Sequence, residues 1–238
     1  MAQELKNFNI ILTGGTGALG KVITTEFIKS GASVITNFRS EPKFDDLKNA
    51  VTNTEKLHGI QVDLDSEKNV QSYFEQASRR FKRLDVFIHI MGGFWMGEEI
   101  ADTSLENWNR MMNLNLTSAF LCTREAFKIM KVQCSGKIFT VGAKTAEEFP
   151  PKMGAYTVSK AGVLALTRIL ANEGKAYNIL VNSILPGIID TQANRKDMSE
   201  ADFSEWVTPE QIARVLIYLC KAETQILSHS FLKLFGKL

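Results

Sequence analysis

The chain has 238 residues, with 28 Lys and Arg against 26 Asp and Glu, a formal net charge of +2, and 45% hydrophobic residues. This is the composition of a globular chain, long enough for a sizeable core in one large domain or at most two small ones. The even charge balance argues against binding nucleic acid through its phosphates, and no apolar run approaches the roughly 20 residues of a membrane span.

Met1 to Asn7 holds a lone Lys6 with no long apolar stretch behind it, which predicts no signal peptide and a cytoplasmic location. Cys122, Cys134 and Cys220 lack metal-ligand spacing, and His58, His89 and His229 are scattered. Free thiols in a reducing compartment and no metal site are expected.

Short apolar runs alternate with longer amphipathic stretches. Residues 9–12 read as a buried strand entering a glycine cluster, and 19–28 as the helix behind it. Further strands are expected at 33–36, 59–62, 85–90, 137–141, 179–184 and 231–234. Helices are expected at 67–81, 103–130 and 156–171, and from Pro209 onward. Thr103-x-x-Glu106 reads as a capping box for the longest helix. Thr208-Pro209-Glu210-Gln211 reads as another, with Pro at the first helical position.

Continuous apolar strands alternating with helices predict one Rossmann-type, doubly wound parallel α/β sheet with helices on both faces. A dinucleotide-binding part is expected over about 1–135 and a catalytic, substrate-covering part over about 136–238. Ligands of such a sheet sit outside the carboxyl ends of the strands. The glycines after the first and fourth strands, and Pro186-Gly187 after the sixth, fall at those ends.

Thr13-Gly14-Gly15-Thr16-Gly17-Ala18-Leu19-Gly20 joins the first strand to the first helix. Gly15-x-Gly17-x-x-Gly20 has the letters of a dinucleotide fingerprint, in the strand–turn–helix context that it needs. Gly14, Thr16, Gly17, Leu19 and Gly20 are the candidate contacts to a pyrophosphate at the helix N-terminus. A carboxylate after the second strand would hold a ribose 2′-hydroxyl and repel a 2′-phosphate. Here the segment is Asn37-Phe38-Arg39-Ser40, and Arg39 offers a fork of donors to a phosphate, so NADP(H) is favoured over NAD(H). Asp63, after the third strand, is a candidate acceptor for the adenine amino group.

Tyr156 and Lys160 are four residues apart and share a helix face. A free Tyr titrates near 10; a neighbouring ammonium and a positive nicotinamide ring would favour its phenolate.

These pieces together resemble the short-chain dehydrogenase/reductases over nearly the whole chain. The matching segments are the glycine loop, Asp63-Leu64, Trp108 through Asn115-Leu116, Tyr156-x-x-x-Lys160-Ala161, and Pro186-Gly187 with Thr191. The resemblance implies Tyr156 as proton donor or acceptor, Lys160 as cofactor holder and tuner of the tyrosine, and Asn115 as support for a proton-relay water. It adds Gly92, Pro186, Gly187 and Thr191 to the cofactor contacts. It also implies a homodimer or homotetramer formed through the two long helices.

Three departures stand out. The usual Asn-Asn-Ala-Gly after the fourth strand is His89-Ile90-Met91-Gly92, with His89 expected to bond backbone in place of an Asn. The loop has Ala18 where a glycine is usual. The family's catalytic Ser, thirteen positions before the Tyr, is Ala143. Losing such a donor costs ~10²–10³ in rate where an oxygen must carry developing charge. Thr145 lies two positions further on, out of place for that role unless the loop shifts.

Two readings follow. One is an NAD(P)H-dependent reductase of a small electron-poor carbonyl or imine, a quinonoid dihydropterin being one such substrate. The other is a cofactor-binding homologue with weak or no turnover, a sensor or partner protein. Several segments are similar to dihydropteridine reductases: Gly14-Gly15-x-Gly17-Ala18-Leu19-Gly20, Gly92-Gly93 with Phe94-Trp95, Gly142-Ala143-Lys144, and 190–206. Those proteins also carry Ala for the Ser, but they have an acidic residue after the second strand and lack the helix asparagine. Phe94, Trp95 and Met96 are placed to stack on a flat substrate or to form a lid, and Ala143 and Lys144 to line its site, Lys144 reading as solvated. Asn194, Arg195 and Trp206 fall in the covering segment, with Trp206 as an anchor.

Overall fold

The computed structural model describes residues 4–237. The first three residues of the segment read as lacking a signal peptide lie outside them.

Seven strands form one sheet: β1 (Asn9–Thr13), β2 (Ser33–Phe38), β3 (Leu57–Gln61), β4 (Val86–His89), β5 (Gly136–Val141), β6 (Ile179–Pro186) and β7 (Phe231–Leu234). All pair in parallel, in the order β3-β2-β1-β4-β5-β6-β7. The order reverses between β1 and β4, which opens a crevice at their carboxyl ends. The helices are α1 (Ala18–Lys29), α2 (Glu41–Ala50), α3 (Glu67–Arg80), α4 (Leu105–Met111), α5 (Ser118–Gln133), α6 (Thr145–Glu148), α7 (Gly154–Gly174), α8 (Gln192–Asp197) and α9 (Pro209–Cys220).

The strands are apolar on both faces because successive side chains point to opposite sides. Ile10, Leu12, Val34, Val86 and Ile88 join the core under α1 and α9. Ile11, Ile35, Phe87, Ile138 and Val181 join the core under α3, α5 and α7. Among the described residues, no helix is long and apolar enough to cross a membrane.

The Thr208 capping box forms as read: Thr208 Oγ1 accepts from Gln211 N and Gln211 Oε1 accepts from Thr208 N. The box at Thr103 does not. Ser104 Oγ accepts from Asn107 N at 3.1 Å, whereas the Thr103 hydroxyl donates to Glu99 O. The continuous helix expected over 103–130 also contains a π turn, Met112–Thr117, between α4 and α5. The apolar period alone could not show it, since one widened turn barely disturbs the stripe. Helix α2 escaped the sequence reading altogether; Ser40 and Pro42 mark its start, but it buries only Phe44 and Leu47. The rings of Phe38 and Phe44 stack at 4.4 Å.

Candidate active site

A cleft of about 1820 Å³ runs along the carboxyl ends of the strands, from Arg39 and Lys43 at one end to Tyr156 and Met198 at the other. The glycine loop forms its floor. Gly14 N donates to Asn37 Oδ1 and Gly15 N to Thr36 Oγ1, both at 3.0 Å. Thr36 and Asn37 therefore anchor the loop to the end of β2, a role the sequence reading missed. Its signal was available: they are two buried polar residues closing an apolar strand.

Gly14 has φ +83, and a Cβ there would lie 3.1 Å from Met91 N. A Cβ on Gly20 would strike the Gly14 carbonyl, so the helix packs directly on the loop. The N-terminus of α1 has no side-chain cap and no acidic residue in its first turn. Thr16, Gly17, Leu19 and Gly20 line the cleft there, leaving a concave, electropositive backbone surface.

At the far end of the loop, Arg39, Ser40 and Lys43 share the rim with Asp63 and Leu64. Arg39 is exposed, and its contact with Asp63 is 3.4 Å. A surface pair of this kind contributes at most about 1 kcal/mol, so the guanidinium is free to turn to an anion.

Tyr156 and Lys160 face the cleft from one side of α7. Lys160 is buried, and its ammonium donates to Val141 O at 2.9 Å. Burial pushes Lys160 down to about 8. Burial also pushes the Tyr156 phenol up to about 12. The sequence reading expected the ammonium to favour the phenolate. In the protein alone desolvation of the phenol wins, and one hydrogen of the ammonium goes to the Val141 carbonyl. The Phe94 ring stands edge-on to Tyr156, with centroids 4.9 Å apart.

Asn115 is buried within the π turn, behind the cleft wall. Its Oδ1 accepts from Gly93 N at 2.8 Å, and its Nδ2 donates to Gly93 O at 3.1 Å and to Ser159 Oγ at 2.9 Å. Both amide hydrogens and one lone pair of Oδ1 are thus engaged by protein. The side chain fastens the Gly92-Gly93 loop to α7. Ser159, which the sequence reading missed, completes the link by donating to Tyr156 O. A Cβ on Gly92 would lie 2.8 Å from Asn115 Oδ1 and 3.3 Å from Lys160 Nζ.

His89 does not bond backbone as expected. Its Nδ1 meets Thr13 Oγ1 at 2.9 Å and its Nε2 meets Ser118 Oγ at 3.3 Å. Ser118 spends its only proton on Leu114 O at 2.7 Å. Hence His89 Nε2 carries the hydrogen, and Nδ1 accepts from Thr13. Burial, then Lys160, pushes the ring down to about 3, so it is neutral.

Gly92, Pro186, Gly187, Phe94, Ala143 and Lys144 all line the cleft. Besides Asn115, behind the wall, two expected residues do not. Trp95 is absent from the lining, although Phe94 and Met96 on either side of it belong to it. Thr191 instead caps α8, its Oγ1 accepting from Asn194 N at 3.2 Å. Lys144, read as solvated, pairs with Glu148 at 3.1 Å and lies over the Phe235 ring. In the covering segment Asn194 lines the cleft, Arg195 holds Asp190 through two bonds, and Trp206 is buried against Phe203.

The site fits a nicotinamide dinucleotide. The loop has no room for side chains where a pyrophosphate would approach, cations stand at one end, and a buried ammonium stands at the other.

A family model described as short chain dehydrogenase matches residues 9–202. The 3-oxoacyl-[acyl-carrier-protein] reductase FabG of Aquifex aeolicus is 26% identical over 232 residues, covering 92% of each chain. A short chain dehydrogenase structure from Bacillus anthracis is 29% identical with a TM-score of 0.87, covering 99% of this chain and 97% of that one. The structure titled ElxO with NADP bound is 24% identical with a TM-score of 0.90, covering 96% and 97%, a likeness of fold. The chain belongs to the short-chain dehydrogenase family and is an NAD(P)-dependent oxidoreductase of that family.

Proposed function

We propose that the protein is an NADP(H)-preferring reductase of a small electron-poor carbonyl or imine. The observation that carries this reading is the convergence of Tyr156 and Lys160 on one cleft with the glycine loop and the Arg39 rim. ElxO, the fold neighbour, was solved with NADP bound, which agrees with it.

In this reading, Gly14 to Gly20 and the N-terminus of α1 hold the pyrophosphate. Arg39 and Lys43 hold a 2′-phosphate, and Asp63 the adenine. Lys160 holds the nicotinamide ribose with the hydrogens not spent on Val141 O. A reduced nicotinamide, when bound, supplies a hydride.

A tyrosine keeps its proton at neutral pH, and burial, by pushing Tyr156 up to about 12, holds it more firmly. Tyr156 Oη gives that proton to the substrate oxygen or nitrogen, and the Lys160 ammonium stabilises the phenolate left behind. Ala143 offers no hydroxyl to a carbonyl oxygen, which favours substrates already activated by their own electron deficiency.

The test follows NADPH and NADH oxidation with quinonoid dihydrobiopterin, diones, imines and simple ketones. Tyr156→Phe should lower kcat by at least ~10²-fold, the range of a lost general acid. Arg39→Asp should reverse the NADPH preference. Activity undiminished in Tyr156→Phe refutes the mechanism, and an unchanged NADPH/NADH ratio refutes the role of Arg39. Tight NADPH binding with no oxidation on any substrate would favour the second reading, a non-catalytic homologue, which Ala143 motivates.

A further inference from the structure

Phe94 is 57% exposed, yet its ring lies 4.9 Å from the Tyr156 ring, edge-on at 78°. A single exposed apolar side chain needs no explanation. Here Met96, two residues on, is 51% exposed as well, and both line the cleft together with Pro150, Met153 and Met198. An aromatic ring and three thioethers thus border the space that holds the proton donor.

The segment that carries Phe94 is held at both ends. Upstream, Gly93 N donates to Asn115 Oδ1 at 2.8 Å and Gly93 O accepts from Asn115 Nδ2 at 3.1 Å. Downstream, Gly97 N donates to Lys152 O at 2.8 Å, and Glu98 forms a bridge with Met153 at the start of α7. Residues 94–96 therefore span from the π turn to the helix that carries Tyr156. A segment so short and so tethered loses little freedom when its side chains close on a ligand. Lys144 and Asn194, which also line the cleft, are already engaged, by Glu148 at 3.1 Å and by Ile189 O at 2.8 Å.

We propose that Phe94 is a specificity-determining residue that packs on an aromatic ring borne next to the bond being reduced, with the pliable side chains of Met96, Met153 and Met198 closing round that ring. This rests on the proposed reductase function and deepens it by naming the substrate class. Tyr156 serves the reacting oxygen or nitrogen, and Phe94 serves the group beside it. Ring on ring and sulfur on ring are favourable beyond the apolar area that they bury. The enzyme then takes aryl-bearing carbonyls and imines in preference to small aliphatic ones of equal electron deficiency.

The probes are 1-phenyl-2,3-butanedione and 2,3-butanedione, with NADPH, on the full chain. A methylene group insulates the ring from the dione, so the two probes differ in apolar load and hardly in electron demand. Wild type should favour the phenyl dione by ~10-fold or more in kcat/KM. Phe94→Ala should shrink that ratio by ~10-fold. Phe94→Leu, which keeps apolar bulk without the ring, should shrink it by ~3–5-fold, and Phe94→Tyr, which keeps the ring, by less than ~2-fold.

A ring that only shields the site as a lid would slow both diones equally and leave the ratio unchanged. A ring that packs on substrate and not on the fold leaves Tm within ~2 °C in all three variants, and a larger fall would make its role structural. A wild type without the phenyl preference, or a ratio unmoved in Phe94→Ala, overturns the inference, while Tyr156-dependent turnover of both diones leaves the proposed function standing. Turnover indifferent to Tyr156→Phe, or turnover of neither dione, sinks the proposed function and this inference with it.

Discussion

His89 shows how one residue can be tied to three elements and carry a pH signature. It sits at the end of β4, bonds Thr13 at the end of β1, and reaches Ser118 at the start of α5. Its neutral form satisfies both ring nitrogens. A free imidazole titrates near 6.5, and burial, then Lys160, pushes this one down to about 3 in the fold. A depressed pKa means that the stabilisation is complete above 6.5 and is lost as pH falls toward 3. The slope is about 1.4 kcal/mol per pH unit across that window. His89→Asn should flatten this limb of the stability curve. Denaturant titrations at pH 7, 5.5 and 4.5 measure it, and a variant with the wild-type slope would remove the histidine from the account.

At the scale of elements, the π turn is the informative irregularity. It places Asn115 where one side chain spans from the Gly93 backbone to Ser159 on α7. Ser159 in turn receives that amide and donates to Tyr156 O at 2.6 Å. Removing the serine hydroxyl leaves a buried amide hydrogen unpaired. Ser159→Ala should therefore cost about 1–3 kcal/mol, lowering Tm by about 2–12 °C for a chain of this size. Calorimetry checks it, and an unchanged Tm would show that the amide finds another acceptor.

At the scale of the molecule, the last strand and the covering segment brace each other around the cleft. Gly187 N donates to Leu234 O at 2.9 Å and Lys237 N to Glu205 O at 3.0 Å, while Lys144 lies over Phe235. The outer sides of α5 and α7 leave Phe120, Val158 and Ile169 exposed. Apolar side chains on two neighbouring helices favour association of copies through those helices. Light scattering should give a dimer or tetramer, and Ile169→Glu should shift it toward smaller species; a monomer at micromolar concentration would contradict this.

What the linear chain determined by itself was the alternation of apolar strands with helices, and so the doubly wound sheet. It also placed the glycine loop, Arg39 and the Tyr156–Lys160 pair, because these depend on local spacing and on which strand end each follows. Element ends were less legible: Ser104 displaced Thr103 as cap, and α2 went unread, since short polar helices leave little apolar periodicity. Contacts between distant segments were decided only by the tertiary structure. It tied Asn115 to Gly93 and Ser159, left Trp95 out of the cleft lining and gave Thr191 to a helix cap. It also left Thr145 with an unpaired hydroxyl beside Ala143. Each of these turns on which donors and acceptors meet across the fold, and a residue's neighbours in the chain do not specify that.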